Sequence, residues 1–133
     1  MPTNVELIKS AVEAMNSRQL DRLVELFAPD MVRHDLAGAW PDVAGEQLSD
    51  LLGELFRGVP DLHINLLDVF GDGDRVASRI VFEGTHQGPL FGREGTGRRI
   101  AVNQLNIYRV ADGKLAESWQ LPDVAGFLSQ IGG

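Results

Sequence analysis

The spacing of apolar residues changes once along this chain, and that change restricts the folds open to it. Up to Pro60 the apolar residues recur at helical intervals, and from Asp61 onward they alternate as in strands. Thr3 and Glu6 have capping-box spacing ahead of Val5, Ile8, Val12 and Met15, which predicts an amphipathic helix over residues 4–16. Leu20, Leu23, Val24 and Phe27 predict a second, short helix that ends before Pro29. "DMVRHDLAG" predicts three or four residues of strand. "WPDVAGEQLSDLLGELFRGVP" predicts a third helix with Leu48, Leu51, Leu52, Leu55 and Phe56 inward, stopped by Gly58 and Pro60. The stretches "LHINLLDVF", "RVASRIVFEGTH", "RRIAVNQLNIYRV" and "LAESWQL" predict four consecutive strands, followed by a short helix near 123–131. Helices followed by antiparallel strands give an α+β fold, with a curved sheet wrapped against a helical layer around a funnel, in one domain over residues 1–133.

Charge narrows the function classes. Lys plus Arg number 12 against 19 Asp plus Glu, a net charge of -7, and the only basic run is the pair Arg98–Arg99. Nucleic acid and anionic membrane are poor partners for such a surface. The chain has no cysteine, which excludes disulfides, thiolate metal sites and cysteine nucleophiles and fits a reducing compartment. With no signal-like start and no long apolar run, the expected location is the cytoplasm.

The turn "VADGKL" decides which residues share a face. A two-residue turn at Asp112–Gly113 pairs Val110 with Leu115 and sets Asn106 beside Trp119, mixing polar and apolar side chains on both faces. A three-residue loop with Gly113 as a bulge pairs Val110 with Lys114 and sorts them. Gln104, Asn106, Tyr108, Ser118 and Gln120 then share one face, and Leu105, Ile107, Leu115, Trp119 and Leu121 the other; this bulged register is the expected one. Either stripe can face the helices. If the amides line the cavity, the Trp-Leu-Ile patch is left for another subunit.

"GTHQGPLFGREGTGRRI", "YRVADGKLAESWQLPD", the terminal "FLSQIG" and "AMNSRQLDRLVELFAPDMVRHD" together resemble the SnoaL-like polyketide cyclase family of the nuclear-transport-factor-like cone superfamily. The resemblance spans nearly the whole chain. It implies a helix-lined cone with a curved mixed sheet, an apolar pocket, assembly through the outer sheet surface as a homodimer (Leu105, Ile107, Trp119), and no metal or organic cofactor. It also implies that the polar stripe faces the pocket. The family's aldol cyclases act on aromatic polyketide esters with a histidine and an aspartate that correspond here to Asn106 and Gln120. Neither amide exchanges a proton near neutral pH, but each can hydrogen-bond a carbonyl or enolate oxygen.

Three other groups are candidates for moving the proton: His34 and Asp35 in "VRHDLAG", and His86 in "GTHQG". Burial raises a carboxyl pKa, and an imidazole titrates close to neutrality, so any of the three suits acid-base work if it reaches the pocket. Their structural alternatives are a brace before the third helix for Asp35, a satisfied partly buried histidine for His34 and a holder of the rim loop for His86. His34 and Asp35 are adjacent on a strand and so face opposite ways. Trp40, Phe56, Phe82, Phe91 and Tyr108 can wall a hydrophobic substrate, with Gln104 and Ser118 as polar contacts. The glycine-rich stretch 87–97 lacks the helix and the Lys-Ser/Thr pair of a phosphate loop and reads as a mobile rim.

The resulting expectation is a cofactor-independent cyclase-like enzyme. It would close, isomerise or dehydrate a hydrophobic polyketide-type carbonyl compound by acid-base chemistry. A non-catalytic carrier of an apolar metabolite is the alternative. An epoxide-opening hydrolase ranks last, because it would want an Asp-Arg-Asp set where this chain carries amides.

Overall fold

Thr3 caps the first helix as its spacing requires: its Oγ1 accepts from Glu6 N at 3.1 Å, and the Glu6 carboxylate accepts from Thr3 N at 3.3 Å. The structure, a computed structural model, describes residues 3–38, 41–45 and 47–132. Helix α1 (Asn4–Asn16) and α2 (Leu20–Glu25) form a hairpin, followed by β1 (Phe27–Asp35), β2 (Val43–Ala44) and α3 (Gln47–Gly58). Then come β3 (His63–Asp72), β4 (Arg75–Thr85), β5 (Arg99–Ala111), β6 (Lys114–Pro122) and α4 (Val124–Gln130). Among the described residues no helix is long and apolar enough to cross a membrane.

The sheet is mixed and mostly antiparallel, in the order β2-β1-β6-β5-β4-β3, with β1 parallel to β6. Two features differ from expectation. Strand β1 is nine residues long rather than three or four, so Pro29 lies within a strand rather than marking a helix end. Its missing N–H is tolerated because the β1–β6 pairing is irregular between Phe27 and Val32.

The second difference is in the last hairpin. Asp112 (φ 51°) and Gly113 (φ 74°) form a two-residue turn with Ala111 opposite Lys114 and Val110 opposite Leu115, so the expected three-residue loop is not formed. The register shift falls further along β6, at Ala116: beyond it Arg109 pairs with Glu117, Tyr108 with Ser118 and Asn106 with Gln120. The expected amide face results by a different route. Leu115, on the turn side of the bulge, points inward and is buried, in contrast to its expected place beside Trp119.

Helices α1, α2 and α3 cover the concave face, where Ala14, Met15, Leu23, Ile64, Ile80, Phe82 and Val102 are buried in one cluster with Phe127 of α4. The convex face is left open: Leu105 is 54% exposed, Ile107 48%, Leu121 44% and Phe70 67%.

Candidate active site

A cavity of about 150 Å³ lies between the sheet and the helices. Most of its wall is apolar, from Val12 and Met15 of α1, Leu48, Leu51, Leu52 and Leu55 of α3, and Ile64, Ile80 and Phe82 of the sheet. Its polar wall is made by Arg33, Gln104, Tyr108 and Gln120. Alternation puts them there: Met31, Arg33 and Asp35 of β1 are all buried on the inner face, opposite the outward His34.

A cation sets the direction of the hydrogen bonds behind this polar wall. Arg33 Nε can only donate, and it gives its proton to Gln120 Oε1 at 2.9 Å. The same oxygen accepts from Gln104 Nε2 at 3.0 Å, and Gln104 Nε2 also donates to Asn106 Oδ1 at 2.7 Å. Asn106 Nδ2 therefore faces Ser78 Oγ at 3.1 Å, and Gln120 Nε2 faces Ser118 Oγ at 3.3 Å. Burial pushes the Tyr108 phenol up, against the smaller opposing pulls of its hydrogen bond with Ser78 and of nearby Arg33, so it remains a proton donor. Burial lowers the Arg33 guanidinium from its ordinary value, opposed by Asp35 and then by Tyr108, and it keeps its charge. The network fixes the donors of Arg33 and Tyr108 in a mostly apolar chamber, an arrangement suited to charge developing on a substrate oxygen.

The structure brings together Gln104, Asn106, Tyr108, Ser118 and Gln120, and places Phe82 and Phe91 on the cavity wall. Asp35 pairs with Gln120 across β1–β6, shares the inner face with Arg33, and accepts from Ala37 N at 3.1 Å. His86 is fully buried away from the cavity wall: Thr96 Oγ1 lies 3.1 Å from its Nδ1 and the Arg93 carbonyl 3.3 Å from its Nε2. It holds the rim loop. Phe56 lies under the Arg18 guanidinium, 4.5 Å from its ring centre, and off the cavity wall. Trp40 lies outside the described residues. Arg33 and Ser78 were missed by sequence reasoning; two-residue alternation from Met31 would have found Arg33.

The rim loop is also tied down rather than loosely draped. Gln87 N and Gly88 N donate to the Gly58 carbonyl, and Thr96 N and Gly97 N to the His86 carbonyl. A Cβ at Gly88 would sit against the Arg57 carbonyl, and one at Gly95 against the Gln87 carbonyl. These glycines serve close backbone approach.

His34 is on the outer face, stacked on Trp119 at 5.6 Å between ring centres. Its Nδ1 is 2.7 Å from Asp42 Oδ2 and its Nε2 2.7 Å from Glu117 Oε2, so it is set apart from the cavity. The hydrogen bond to Glu117, then that to Asp42, raises the His34 pKa from 6.5; the bond from His34 is the main cause lowering Glu117 from 4.5. A raised imidazole stabilises fully below its unfolded pKa and loses that contribution as pH rises through the folded one. A lowered carboxylate stabilises fully above its unfolded pKa and loses it as pH falls through the folded one. The pair therefore contributes most between about pH 4.5 and 6.5. His34→Gln is expected to lower Tm most in that window and progressively less above it. A Tm difference independent of pH would refute the pairing.

With this geometry in place, the sequence can be set beside known proteins. The pattern of the SnoaL-like polyketide cyclase family matches residues 5–131. The aklanonic acid methyl ester cyclase AcmA of Streptomyces galilaeus is 34% identical over 99% of this chain and 92% of its own. The cyclase of the same description from Streptomyces peucetius, DnrD, is 25% identical over the same shares. Among solved structures, wild-type IdmH of Streptomyces antibioticus superposes with a TM-score of 0.83 at 32% identity over 96% of this chain and 97% of IdmH.

Proposed function

The chain belongs to the SnoaL-like polyketide cyclase family, and from that premise we propose that it closes a ring in an aromatic polyketide ester by an intramolecular aldol addition. The observation that carries this reading is the polar wall of Arg33, Gln104, Tyr108 and Gln120, with Arg33 and Tyr108 as its donors, in an otherwise apolar cavity. In the proposed step a C–H between two carbonyls gives its proton to the Asp35 carboxylate. The enolate carbon then forms the new C–C bond at a ketone carbon, and the alkoxide recovers the proton from Asp35. The product is an isomer of the substrate. Arg33 and Tyr108 hold the oxygen that gains charge, and the amides behind them fix its position. Of the three candidates Asp35 is assigned the proton role because it lies on the inner face of β1 next to Arg33, just beyond the cavity wall, where the substrate must reach it, whereas His34 is outside and both His86 nitrogens are engaged.

Incubation with aklanonic acid methyl ester, followed by chromatography and mass spectrometry, tests the reaction: a new species of unchanged mass supports it. Among the described residues no carboxylate or imidazole lies on the cavity wall itself, which favours a carrier as the second reading. Saturable binding with unchanged ligand after long incubation would support that carrier and reject the cyclase.

The reading includes a homodimer through the convex face. Across neighbouring strands Phe70, Ala77, Ile107, Trp119 and His34 form one row on that face, with Leu105 opposite Leu121 alongside. Exposed apolar surface of this kind favours burial against a second copy. Ile107→Lys is expected to shift the protein to monomer by sedimentation velocity; an unchanged mass would put the interface elsewhere.

A further inference from the structure

Phe91 has a backbone that its residue type disfavours. With φ 50° it precedes Gly92 at φ 76°, and Leu90 and Arg93 exchange both backbone hydrogen bonds at 2.9 Å across them. This is a tight turn with both central residues left-handed, where Asn-Gly is the favoured pair and a bulky side chain is strained. Strain of this kind persists where surrounding contacts hold it, and it concentrates at ligand-handling positions. Here the contacts are ring to ring: Phe91 lies 6.3 Å from Phe82 and 5.2 Å, edge to face, from Phe127.

Phe91 also borders two spaces. It lines the inner cavity of about 150 Å³, and with Glu54, Arg57, Pro89, Leu90 and Gly92 it lines an outer groove of about 360 Å³ between α3 and the rim loop. The inner cavity alone is below the roughly 300 Å³ at which pockets for drug-sized ligands begin, whereas the two spaces joined fall within that range. The loop on either side of the turn is fixed, by His86 at its base and by the 2% exposed Leu90 beside the turn. Phe91 is the residue that the two linings share.

We propose that Phe91 is a side-chain gate that sets substrate length, and that the inner cavity and the α3 groove are two halves of one elongated site for a fused-ring polyketide ester. The enolisable end reaches Arg33 and Gln120, and the distal ring passes Phe91 to lie beside Arg57. This deepens the ring-closure reading and rests on it for the orientation of the ligand.

Two probes test it by calorimetry and stopped-flow binding: a bicyclic hydroxynaphthoquinone and a tricyclic hydroxyanthraquinone carrying the same methyl β-ketoester side chain. Phe91→Asn supplies the residue the turn prefers and removes the ring, so the fold is retained, and Phe91→Leu is a second variant. Both are expected to raise the association rate and affinity for the tricyclic probe on the order of tenfold, the scale set by no longer displacing the ring contacts that hold Phe91. The bicyclic probe should bind as in the parent protein. Arg57→Gln should weaken the tricyclic probe alone. Equal changes for both probes, or none in either Phe91 variant, would overturn the gate. These readouts are of binding, so failure of the protein to turn over any ester would refute ring closure and leave the gate result standing.

Discussion

Arg33→Met is expected to lower kcat/KM by about 10²–10³-fold, the loss typical of removing one positioned donor from a developing oxyanion. Most of that loss should fall in kcat, because the interaction is strongest when charge has developed on the substrate. Two effects combine. The guanidinium no longer holds the substrate oxygen, and Gln120 Oε1 loses the donor that fixes its orientation 2.9 Å away. Gln104 then has no fixed acceptor direction, and the order passed on to Asn106 and Ser78 is lost. Arg33→Lys keeps a charge but not the fork, and should recover only part of the rate. Gln120→Ala combined with Arg33→Met should cost less than the sum of the two single changes, since both act on one network. A kcat/KM for Arg33→Met near that of the parent would show that the reacting end of the substrate is elsewhere.

Phe127→Ala should be the most destabilising single truncation, by roughly 3–5 kcal/mol, the usual range for emptying a buried aromatic site. For a chain of this size that corresponds to a fall in Tm of roughly 10–15 °C by calorimetry. Phe127 is fully buried and is the buried residue of the short helix α4, whose seven residues have little stability of their own. Its ring meets His86 at 5.2 Å and Phe91 at 5.2 Å, so the truncation should also loosen the rim loop and speed amide exchange at Gln87, Gly88 and Thr96. Phe127→Leu should recover most of the stability. A shift of only two or three degrees for Phe127→Ala would show that α4 is dispensable to the core.

Much of the fold was legible because local signals and tertiary demands agree. The Thr3–Glu6 cap, the α3 stripe and the alternation of β3 to β6 each have one physical reading. The failures occur where a local rule was outvoted. Pro29 usually ends a helix, but here a lapse in the parallel pairing admits it to a strand. The Asp112–Gly113 turn obeyed its local preference, and the sorting of faces was achieved by an extra residue at Ala116, a compensation that no turn rule contains. Alternation on the long hairpin grouped the amides on one face but left open which face turned inward; the family resemblance, not the alternation, turned them toward the pocket. Arg33 was passed over because a cation in a short polar stretch normally points to water, although the alternation from Met31 placed it inward, where Gln120 and Asp35 partner it. His34 drew attention as a titratable neighbour, yet the parallel register sets it opposite Trp119 on the outside.

The parallel pairing of β1 with β6 also bears on how the protein is made. Synthesis delivers β1 well before β6, its parallel neighbour, so the sheet cannot be completed until β6 has left the ribosome. Until then the nascent helices lack the complete concave surface they cover, and parts of their oily stripes stand open to chaperones or to neighbouring chains. Closing this long loop is the step at which a slow-growing or truncated chain would be lost to aggregation.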